Sequence, residues 1–154
     1  MAATIRRMDR ADVTEVRDLV CRTVDISYQV AYHPDAIAFF KQYHSKSSID
    51  QDIILGYAVV AVVEGRLVGT GTLLNGEIKR VFVDPAEQGR GHGGSIMRVL
   101  IAQAKAEGLR TVTLDASTVS RAIYEHLGFR PVRDGSHDLG GGLTLDYTQM
   151  ALGL

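Results

Sequence analysis

The middle of the chain alternates between apolar and polar positions in a way that is typical of β-strands. Three short stretches rich in β-branched residues follow one another at 57–64, 67–74 and 77–83. A turn at Glu64-Gly65-Arg66 separates the first two stretches, and Asn75-Gly76, a pair favoured in tight hairpins, separates the last two. The pattern therefore predicts three consecutive antiparallel strands, the third of which ends at Asp84-Pro85.

Apolar residues at helical spacing predict two helices in the first third of the chain. Asp9 is in position to cap the first helix, and Pro34 suits the first turn of the second. In the first helix, the apolar residues that recur at this spacing are Val13, Val16, Val20 and Val24. One side of the second helix consists of Ile37, Phe40 and His44.

Two further helices are predicted in the second half of the chain. One ends at Gly108, and the other ends at Gly128 after a start capped by Ser117 or Thr118. The apolar residues of the first are Ile96, Val99, Leu100 and Ala104. The predicted buried side of the second consists of Val119, Ala122, Ile123 and Leu127.

The remaining strands are predicted at 4–8, 111–115, 129–133 and 143–152. The glycine-rich segment 135–142, between the last two strands, is predicted to be a mobile loop. The resulting order of elements is β-α-α-β-β-β-α-β-α-β-β. One strand–helix–strand unit inside a mostly antiparallel sheet is typical of an α+β fold, here a single domain over 1–154.

The composition is that of an ordinary globular domain with nearly balanced charge. The 154 residues carry a formal net charge of −1, which gives no general attraction to nucleic acid or to anionic membranes. Residues 77–110 hold a local excess of Lys and Arg, whereas residues 1–64 have a slight acidic excess. Cys21 is the only cysteine, which suits a reducing cytoplasm and leaves no disulfide or cysteine metal cluster. We expect no metal site, no signal peptide and no membrane-spanning segment.

The stretch QGRGHGGS, residues 88–95, places several glycines directly before a predicted helix. Main-chain N–H groups in the first turn of a helix lack internal partners, and together with the helix dipole they form an anion site. Glycines let a phosphate approach these amides closely, and Arg90 can add a positive charge at the rim. A flexible loop without a ligand is the alternative interpretation.

Two other nucleotide-binding motifs fit this stretch less well. Gly89, Gly91 and Gly94 satisfy G-x-G-x-x-G, and Asp115 follows at a suitable distance. However, DPAEQ separates the strand from the first glycine, and too little chain follows Asp115 for the remaining parallel strands. A Walker loop requires Lys and then Ser or Thr after its last glycine, where this chain has GGSI.

Residues 88–93 match the pattern Q/R-x-x-G-x-G/A, which resembles the pyrophosphate-binding signature of the GNAT family of N-acetyltransferases. The whole segment 77–108 is similar to that family's motif A, with a strand, a proline-containing turn, a glycine loop and a helix. Residues 114–129, LDASTVSRAIYEHLGF, resemble the motif that follows it. The resemblance implies the GNAT fold and transfer of an acetyl group from acetyl-CoA, as co-substrate, to a primary amine in a ternary complex. A module on the same fold that binds acyl-CoA without turnover is the alternative.

The resemblance also implies which residues hold the cofactor. They are Phe82, Val83, Gln88, Gly89, Arg90, Gly91, His92, Gly93, Gly94, Ser95, Ser117 and Tyr124. Backbone groups near Phe82 and Val83 would bind the pantetheine arm and the acetyl carbonyl. Ser117 stands where many members have asparagine, so helix capping is an equal interpretation of it. Tyr124 matches a tyrosine near the cofactor sulfur and would assist the departing thiolate; a core tyrosine is the other interpretation.

Glu77 is the leading candidate for the catalytic base, because histone-type members of the family place a glutamate at the matching point of this strand. A carboxylate with a pKa of about 4.3 is a weak base for an ammonium group with a pKa of about 10, so Glu77 would need burial or an intervening water. A solvated charge beside the Asn75-Gly76 turn is the other interpretation. His33 and His44 are alternative bases.

The acceptor amine is expected to enter beside the N-terminal helices. Residues that can line its pocket are Tyr28, Tyr32, His33, Asp35 and Tyr43. A helical packing surface is the other interpretation of this segment. The acidic excess of residues 1–64 favours a cationic acceptor, either a small molecule or a peptide amine. Members of the family often form dimers, so a homodimer is compatible with the resemblance.

Overall fold

Seven strands form one mixed sheet, and helices cover both of its faces. The computed structural model describes residues 2–154. The strands are β1 (Thr4–Arg7), β2 (Tyr57–Val63), β3 (Arg66–Leu74), β4 (Glu77–Val83), β5 (Thr111–Ala116), β6 (Arg130–Gly140) and β7 (Leu143–Gly153). The helices are α1 (Val13–Ser27), α2 (Pro34–Tyr43), α3 (Lys46–Leu55), α4 (His92–Ala106) and α5 (Arg121–His126). None of the helices within residues 2–154 is both long and apolar enough to cross a membrane.

The strands lie in the order β1-β2-β3-β4-β5-β7-β6, and β4 pairs with β5 in parallel. Two hydrophobic clusters lie on opposite faces of this sheet. On one face α4 packs through residues such as Ile96 and Leu100, and on the other α1 and α3 pack through Val16, Val20 and Ile49. Each fully buried aliphatic side chain stabilises the fold by roughly 1.5–3 kcal/mol. The α+β arrangement and the three-stranded meander predicted from the sequence are confirmed.

A β-bulge interrupts β4 at Arg80. The register between β3 and β4 shifts between Thr70 and Thr72, and Arg80 adopts a φ of 56°, a left-handed conformation that is uncommon for a residue with a side chain. Ile78, before the bulge, packs in the cluster on the α4 face, whereas Phe82, after it, packs with α1. The bulge therefore moves the even-numbered positions of β4 from one face of the sheet to the other.

A buried ion pair with α3 holds Arg80 in this conformation. The Arg80 Nε donates to Asp52 Oδ2 at 2.7 Å, and its Nη2 donates to Asp52 Oδ1 at 3.2 Å. The Thr72 hydroxyl donates to the same carboxylate at 3.1 Å, and Lys79 Nζ lies 3.6 Å from it. The side chains of Arg80 and Asp52 are only 4% and 2% exposed, so each charge depends on the other for its solvation.

Strand β4 pairs with β5 only at its first residue. Glu77 pairs with Thr113, and the Thr113 N–H donates to the Gly76 carbonyl oxygen at 3.0 Å. Within residues 2–154 the ladder between the two strands has no further partners. The sheet therefore opens between β4 and β5 toward their carboxyl ends.

The helix α3 was not predicted from the sequence, which indicated two N-terminal helices where the structure has three. Its sequence, KSSIDQDIIL, buries Ile49 and the polar Asp52 but exposes Ile54 and Leu55. Because α3 buries a carboxylate that Arg80 neutralises, its pattern of apolar residues is not that of an amphipathic helix.

The segment 135–142, predicted to be a mobile loop, belongs largely to the β6–β7 hairpin, so that prediction is wrong. Strand β6 extends to Gly140, and Ser136 and His137 pair with Asp146 and Leu145 on β7. The residues of the turn have positive φ and are all glycines, at Gly140, Gly141 and Gly142. The three successive glycines therefore form a tight turn, although their sequence resembles that of a flexible linker.

The helix α5 is shorter than predicted, and its apolar side faces outward. It begins at Arg121, after a turn in which the Ser117 and Ser120 hydroxyls lie 2.9 Å apart, so neither Ser117 nor Thr118 is its N-cap. The side that was predicted to be buried is exposed, at Val119, Ala122, Ile123 and Leu127. Tyr124 is instead the residue of α5 that packs against the core.

Replacing Asp52 with alanine should lower the free energy of unfolding by about 3–5 kcal/mol, because the Arg80 guanidinium is left buried without its partner. Urea denaturation at neutral pH measures this loss. Asp50→Ala is the matched control, since it removes an exposed contact with Arg10 at 3.2 Å from the same helix and should cost less than about 1 kcal/mol. Equal effects of the two substitutions would contradict the role assigned to the buried pair.

Candidate active site

The glycine loop leaves the first turn of α4 open. Gly89 and Gly91 adopt φ values of 81° and 86°, and no atom lies within 4 Å of the place that a Cβ would take at either residue. The first internal bond of α4 joins the Ser95 N–H to the Gly91 carbonyl oxygen at 3.1 Å. The amides of residues 92–94 therefore have no partner inside the helix. Such a group of free amides at the positive end of a helix dipole is suited to a phosphate.

Ion pairs and a side-chain amide fix the position of this loop. Glu87 is buried, and its carboxylate contacts Arg66 at 2.9 Å and Arg90 at 3.0 Å. The Gln88 side-chain amide donates to the Val83 carbonyl oxygen at 3.0 Å. The side chain of Arg90 remains 59% exposed, so its guanidinium stays at the rim of the loop while Glu87 sets its direction.

Of the loop residues that were predicted to bind the cofactor, His92 has a buried side chain and Ser95 has a hydroxyl that is bonded within α4. His92 is 3% exposed, and its Nε2 has no hydrogen-bond partner in residues 2–154. The Ser95 hydroxyl donates to the Gly91 carbonyl oxygen at 3.1 Å and accepts from Arg98 at 3.0 Å. The amide of His92 is therefore available to a ligand, whereas the amide and hydroxyl of Ser95 are both bonded within α4.

A cleft of about 150 Å³ lies at the opening between β4 and β5. Side chains from α2, β4, β5, α5 and the β6–β7 hairpin line it, together with Tyr28 directly after α1. Its polar and titratable residues include Tyr28, Tyr43, Glu77, Asp115, Ser117 and Tyr124. Within the described chain, no group of three or more His, Cys, Asp or Glu side chains is arranged to hold a metal ion.

The tyrosines predicted to form an acceptor pocket have different positions. Tyr28 and Tyr43 line the cleft. The Tyr32 hydroxyl accepts from the Thr118 N–H at 2.9 Å and from the Thr118 hydroxyl at 2.7 Å, so it ties the loop after α1 to the segment before α5. Tyr32 therefore closes one side of the site without contributing to the cleft itself.

Neither histidine considered as an alternative base is well placed for that role. His33 accepts from the Asp35 N–H at 3.1 Å as the cap of α2, and both side chains are exposed and lie outside the cleft. His44 lines the cleft, but its burial, together with the nearby positive charge of Arg80, lowers its pKa to about 3. Its Nδ1 accepts from Arg80 Nη1 at 3.0 Å, so the lone pair of that nitrogen is already used.

Glu77 lies half-buried at the narrow end of the opening. Burial and then the negative charge of Asp115 raise the pKa of Glu77, whereas Lys79 and Arg80 oppose this rise. Asp115 is two residues beyond Thr113, the register partner of Glu77, and therefore lies on the same face of the sheet. The raised pKa makes Glu77 a stronger base than a solvated carboxylate.

Tyr124 reaches the cleft from α5. Its ring packs edge-on against Phe129, with ring centroids 6.0 Å apart. Burial, with a smaller effect of the nearby Tyr28, raises the pKa of Tyr124 above its ordinary value, so the phenol keeps its proton at neutral pH. Ser117 also lines the cleft, and its hydroxyl lies 2.9 Å from that of Ser120. A protonated hydroxyl in this position is suited to donate to a leaving group rather than to act as a base.

The backbone of β4 presents Val83, rather than Phe82, to the opening. The Asp84 N–H donates to the Val68 carbonyl oxygen on β3 at 2.8 Å, and peptide groups alternate in direction along a strand. The Phe82 carbonyl is directed to β3 as well, where it would lie 3.2 Å from a Cβ at Gly69. The backbone contacts expected of both residues therefore fall to Val83, while Phe82 lines the cleft with its side chain.

Motifs and periodicity gave no indication that Phe39, Asp115, His137 and Tyr147 are among the residues of the cleft. Asp115 was considered only as part of a dinucleotide motif. Its carboxylate, on the strand that follows the glycine motif and its helix, could have indicated a residue of the cleft. His137 lies in the segment that was predicted to be a loop. Nothing in the sequence around it indicates that it pairs with a residue of β7.

A model of the acetyltransferase (GNAT) domain matches residues 28–152. The chain belongs to the GNAT family of acetyltransferases. The matched range contains the meander, the glycine loop, α5 and the β6–β7 hairpin, which together form most of the cleft. The resemblance inferred from the two motifs is thereby confirmed.

Solved structures of GNAT proteins share the fold over the whole chain. A GCN5-related N-acetyltransferase from Rhodopseudomonas palustris superposes with a TM-score of 0.91 at 18% identity, over 100% of this chain and 97% of that one. The PaiA N-acetyltransferase from Thermoplasma acidophilum, solved in complex with coenzyme A, superposes with a TM-score of 0.79 at 15% identity, over 100% of both chains. At these identities the similarity establishes the fold.

Relatives found by sequence are N-acetyltransferases with different acceptors. The ribosomal protein bS18-alanine N-acetyltransferase of Haemophilus ducreyi is 29% identical over 58% of this chain and 63% of its own length. A probable glucosamine 6-phosphate N-acetyltransferase of Oryza sativa is 34% identical over 52% of this chain and 55% of its own. This chain thus spans less than two thirds of the length of either relative.

Glu77→Gln should raise the free energy of unfolding relative to the wild type near pH 7 but not near pH 3. The folded-state pKa of Glu77 is raised, so its ionisation costs stability once the pH exceeds the unfolded-state pKa of about 4.3, and glutamine removes that cost. Urea denaturation across this pH range measures the difference. Glu125→Gln, which loses an exposed contact with Arg121 at 2.8 Å, is the control and should show no such gain. A stability difference that does not change with pH would contradict the raised pKa.

Proposed function

We propose that this protein is an N-acetyltransferase that moves an acetyl group from acetyl-CoA to a primary amine, with both substrates bound at once. The observation that supports this most is the opening between β4 and β5. The glycine loop follows the carboxyl end of β4, and Tyr124 and Glu77 line the cleft at the opening. Membership of the GNAT family supports the same chemistry.

In the proposed complex, the free amides of residues 92–94 hold the pyrophosphate of acetyl-CoA. The positive end of α4 and the guanidinium of Arg90 at the rim favour the same anion. The absence of a side chain at Gly89 and Gly91 lets the phosphate oxygens come within hydrogen-bond distance of the backbone. The structure of PaiA from Thermoplasma acidophilum with coenzyme A supports a cofactor of this class.

The pantetheine arm would then lie along the free edge of β4. The Val83 N–H is directed toward the opening, and an extended arm can pair with it as an added strand would. The Phe82 side chain lies beside this path and limits the access of water to the thioester. The acetyl carbonyl would reach the cleft between Tyr124 and Glu77.

Glu77 receives a proton from the acceptor ammonium, directly or through one water, and the free amine attacks the thioester carbonyl. A carbon–nitrogen bond forms, the carbon–sulfur bond breaks, and the thiolate of coenzyme A departs. The protonated Tyr124 donates a hydrogen bond to that sulfur and lowers the energy of its negative charge. The second proton lost by the nitrogen neutralises the thiolate, so the products are a neutral amide and free coenzyme A.

Gly91→Glu should abolish the thermal stabilisation that acetyl-CoA confers, because it places bulk and negative charge where the phosphates bind. For the wild type, acetyl-CoA at 100 times its dissociation constant should add about 2.7 kcal/mol of apparent stability. Gly65→Glu is the matched control, since Gly65 has a similar φ of 75° and similarly open surroundings in the β2–β3 turn. Thermal unfolding with and without acetyl-CoA measures the effect. An unchanged shift in Gly91→Glu would place the pyrophosphate elsewhere.

Tyr124→Phe should slow acetyl transfer roughly 100-fold or more while leaving the affinity for acetyl-CoA nearly unchanged, because only the interaction with the leaving sulfur is lost. Release of free thiol in the presence of an amine measures turnover, and titration calorimetry measures cofactor binding. Tyr57→Phe, on β2 and outside the cleft, is the control and should retain the wild-type rate. Equal rates for the wild type and Tyr124→Phe would remove this hydroxyl from the mechanism.

A further inference from the structure

Four aromatic rings form a continuous stack along one side of the cleft. Tyr43 and Phe39 have ring centroids 6.2 Å apart, Phe39 and His137 are 5.4 Å apart, and His137 and Tyr147 are 4.9 Å apart. Neighbouring planes differ by 23°, 35° and 28°, so the first and last pairs are stacked and the middle pair, Phe39 with His137, is tilted. All four residues line the cleft, and we refer to them as the aromatic stack. The stack joins α2 to the β6–β7 hairpin.

A glycine on β6 makes room for the last ring of this stack. Gly135 is the register partner of Tyr147, and a Cβ at Gly135 would overlap the Tyr147 ring. The φ of Gly135 is not positive, so the backbone conformation itself does not call for glycine at this position. The missing side chain instead lets the Tyr147 ring lie across β6 and contact His137.

Three carboxylates without an ion-pair partner in residues 2–154 line the cleft: Glu77, Asp115 and Asp146, of which Asp146 accepts from the Ser136 hydroxyl at 2.9 Å. Glu77 and Asp115 lie on the same face of the sheet. The lysine and arginine of the cleft are Lys79 and Arg80, and both contact Asp52. The cleft therefore favours a positive charge near Glu77 and Asp115.

We propose that the acceptor is an arylalkylamine, a primary amine joined to an aromatic ring by a short alkyl linker. This inference rests on the proposed function and names the acceptor of that same site. The ammonium group lies at Glu77 and Asp115, and the ring packs against the aromatic stack. A further ring adds an offset or edge-to-face contact to such a stack, which a saturated group of the same size does not provide.

Size and charge disfavour other acceptor classes. An apolar cavity of about 150 Å³ can hold one benzene ring, so a cleft of about 150 Å³ suits a single ring better than a folded peptide segment. A phosphorylated amine needs a cation that is free to bind its phosphate, whereas Lys79 and Arg80 are both engaged by Asp52.

The test compares 2-phenylethylamine with 2-cyclohexylethylamine, which has the same linker and the same number of carbon atoms but a saturated, non-planar ring. Thiol release from acetyl-CoA gives kcat/KM for each amine. We expect the phenyl compound to be favoured about fivefold to tenfold, as one aromatic contact allows. Glucosamine 6-phosphate, spermidine and a peptide with an N-terminal alanine complete the panel and should each be poorer acceptors than 2-phenylethylamine.

Two variants connect this preference to the stack. Phe39→Leu keeps an apolar side chain but removes a central ring, and Gly135→Ala displaces the Tyr147 ring without removing any aromatic residue. Both should bring the ratio of the two amines close to one while the KM for acetyl-CoA stays unchanged. Asp115→Asn should raise the KM for 2-phenylethylamine. Leu55→Ala, on the exposed side of α3, is the control and should retain the wild-type ratio.

The outcomes separate this inference from the proposed function. Release of thiol with another amine of the panel, but no preference for the phenyl compound, would overturn the arylalkylamine acceptor alone. A preference that persists in both Phe39→Leu and Gly135→Ala would do the same, provided that their melting temperatures show folded protein. Binding of acetyl-CoA without thiol release for any amine would overturn the proposed function and the inference with it.

Discussion

The buried ion pair between Arg80 and Asp52 is the interaction on which the site depends. A left-handed conformation at a residue with a side chain costs about 1–2 kcal/mol, and two charge-assisted hydrogen bonds to Asp52 offset that cost at Arg80. The resulting bulge bends β4. The strand therefore diverges from β5 after the single pair of Glu77 with Thr113. The same carboxylate also contacts Lys79, so the nearby positive charges are neutralised by α3. Both the opening and the sign of the charge in it therefore follow from one buried contact.

The two ends of the opening have opposite electrostatic character. The amides of residues 92–94 and the rim residue Arg90 attract an anion, whereas Glu77 and Asp115 attract a cation. The two substrates in the proposed reaction carry those charges and can therefore approach from different sides. Between the two ends, the buried Tyr124 keeps its proton, so in the proposed reaction the thioester would meet a neutral donor. A neutral amide product is no longer held by the carboxylates, and this asymmetry favours its release.

The local sequence pattern was sufficient to predict elements whose own residues determine their structure. It was insufficient for elements whose structure depends on a residue far away in the sequence. The meander and the glycine loop were predicted correctly because turn residues and periodicity mark them directly. The helix α3 was missed because its buried Asp52 is stabilised by Arg80, which is 28 positions later in the sequence. The aromatic stack was missed for the same reason, since Phe39 and His137 meet only after the hairpin folds back onto α2. Motif resemblance recovered Glu77 and Tyr124 as cleft residues but gave no indication of Asp115.

The pairing of Glu77 with Asp115 resolves a difficulty that a single carboxylate base would have. A raised pKa makes Glu77 a better proton acceptor, but the same shift favours the protonated form, which cannot accept. An acceptor ammonium beside both carboxylates removes their mutual repulsion, so its binding favours the ionised form of Glu77. Once the proton has moved to Glu77, the positive charge of the amine is gone and the charge of Asp115 again favours a neutral Glu77. In the proposed reaction, the second carboxylate would therefore help to hold the ammonium before proton transfer and stabilise the proton on the base afterwards.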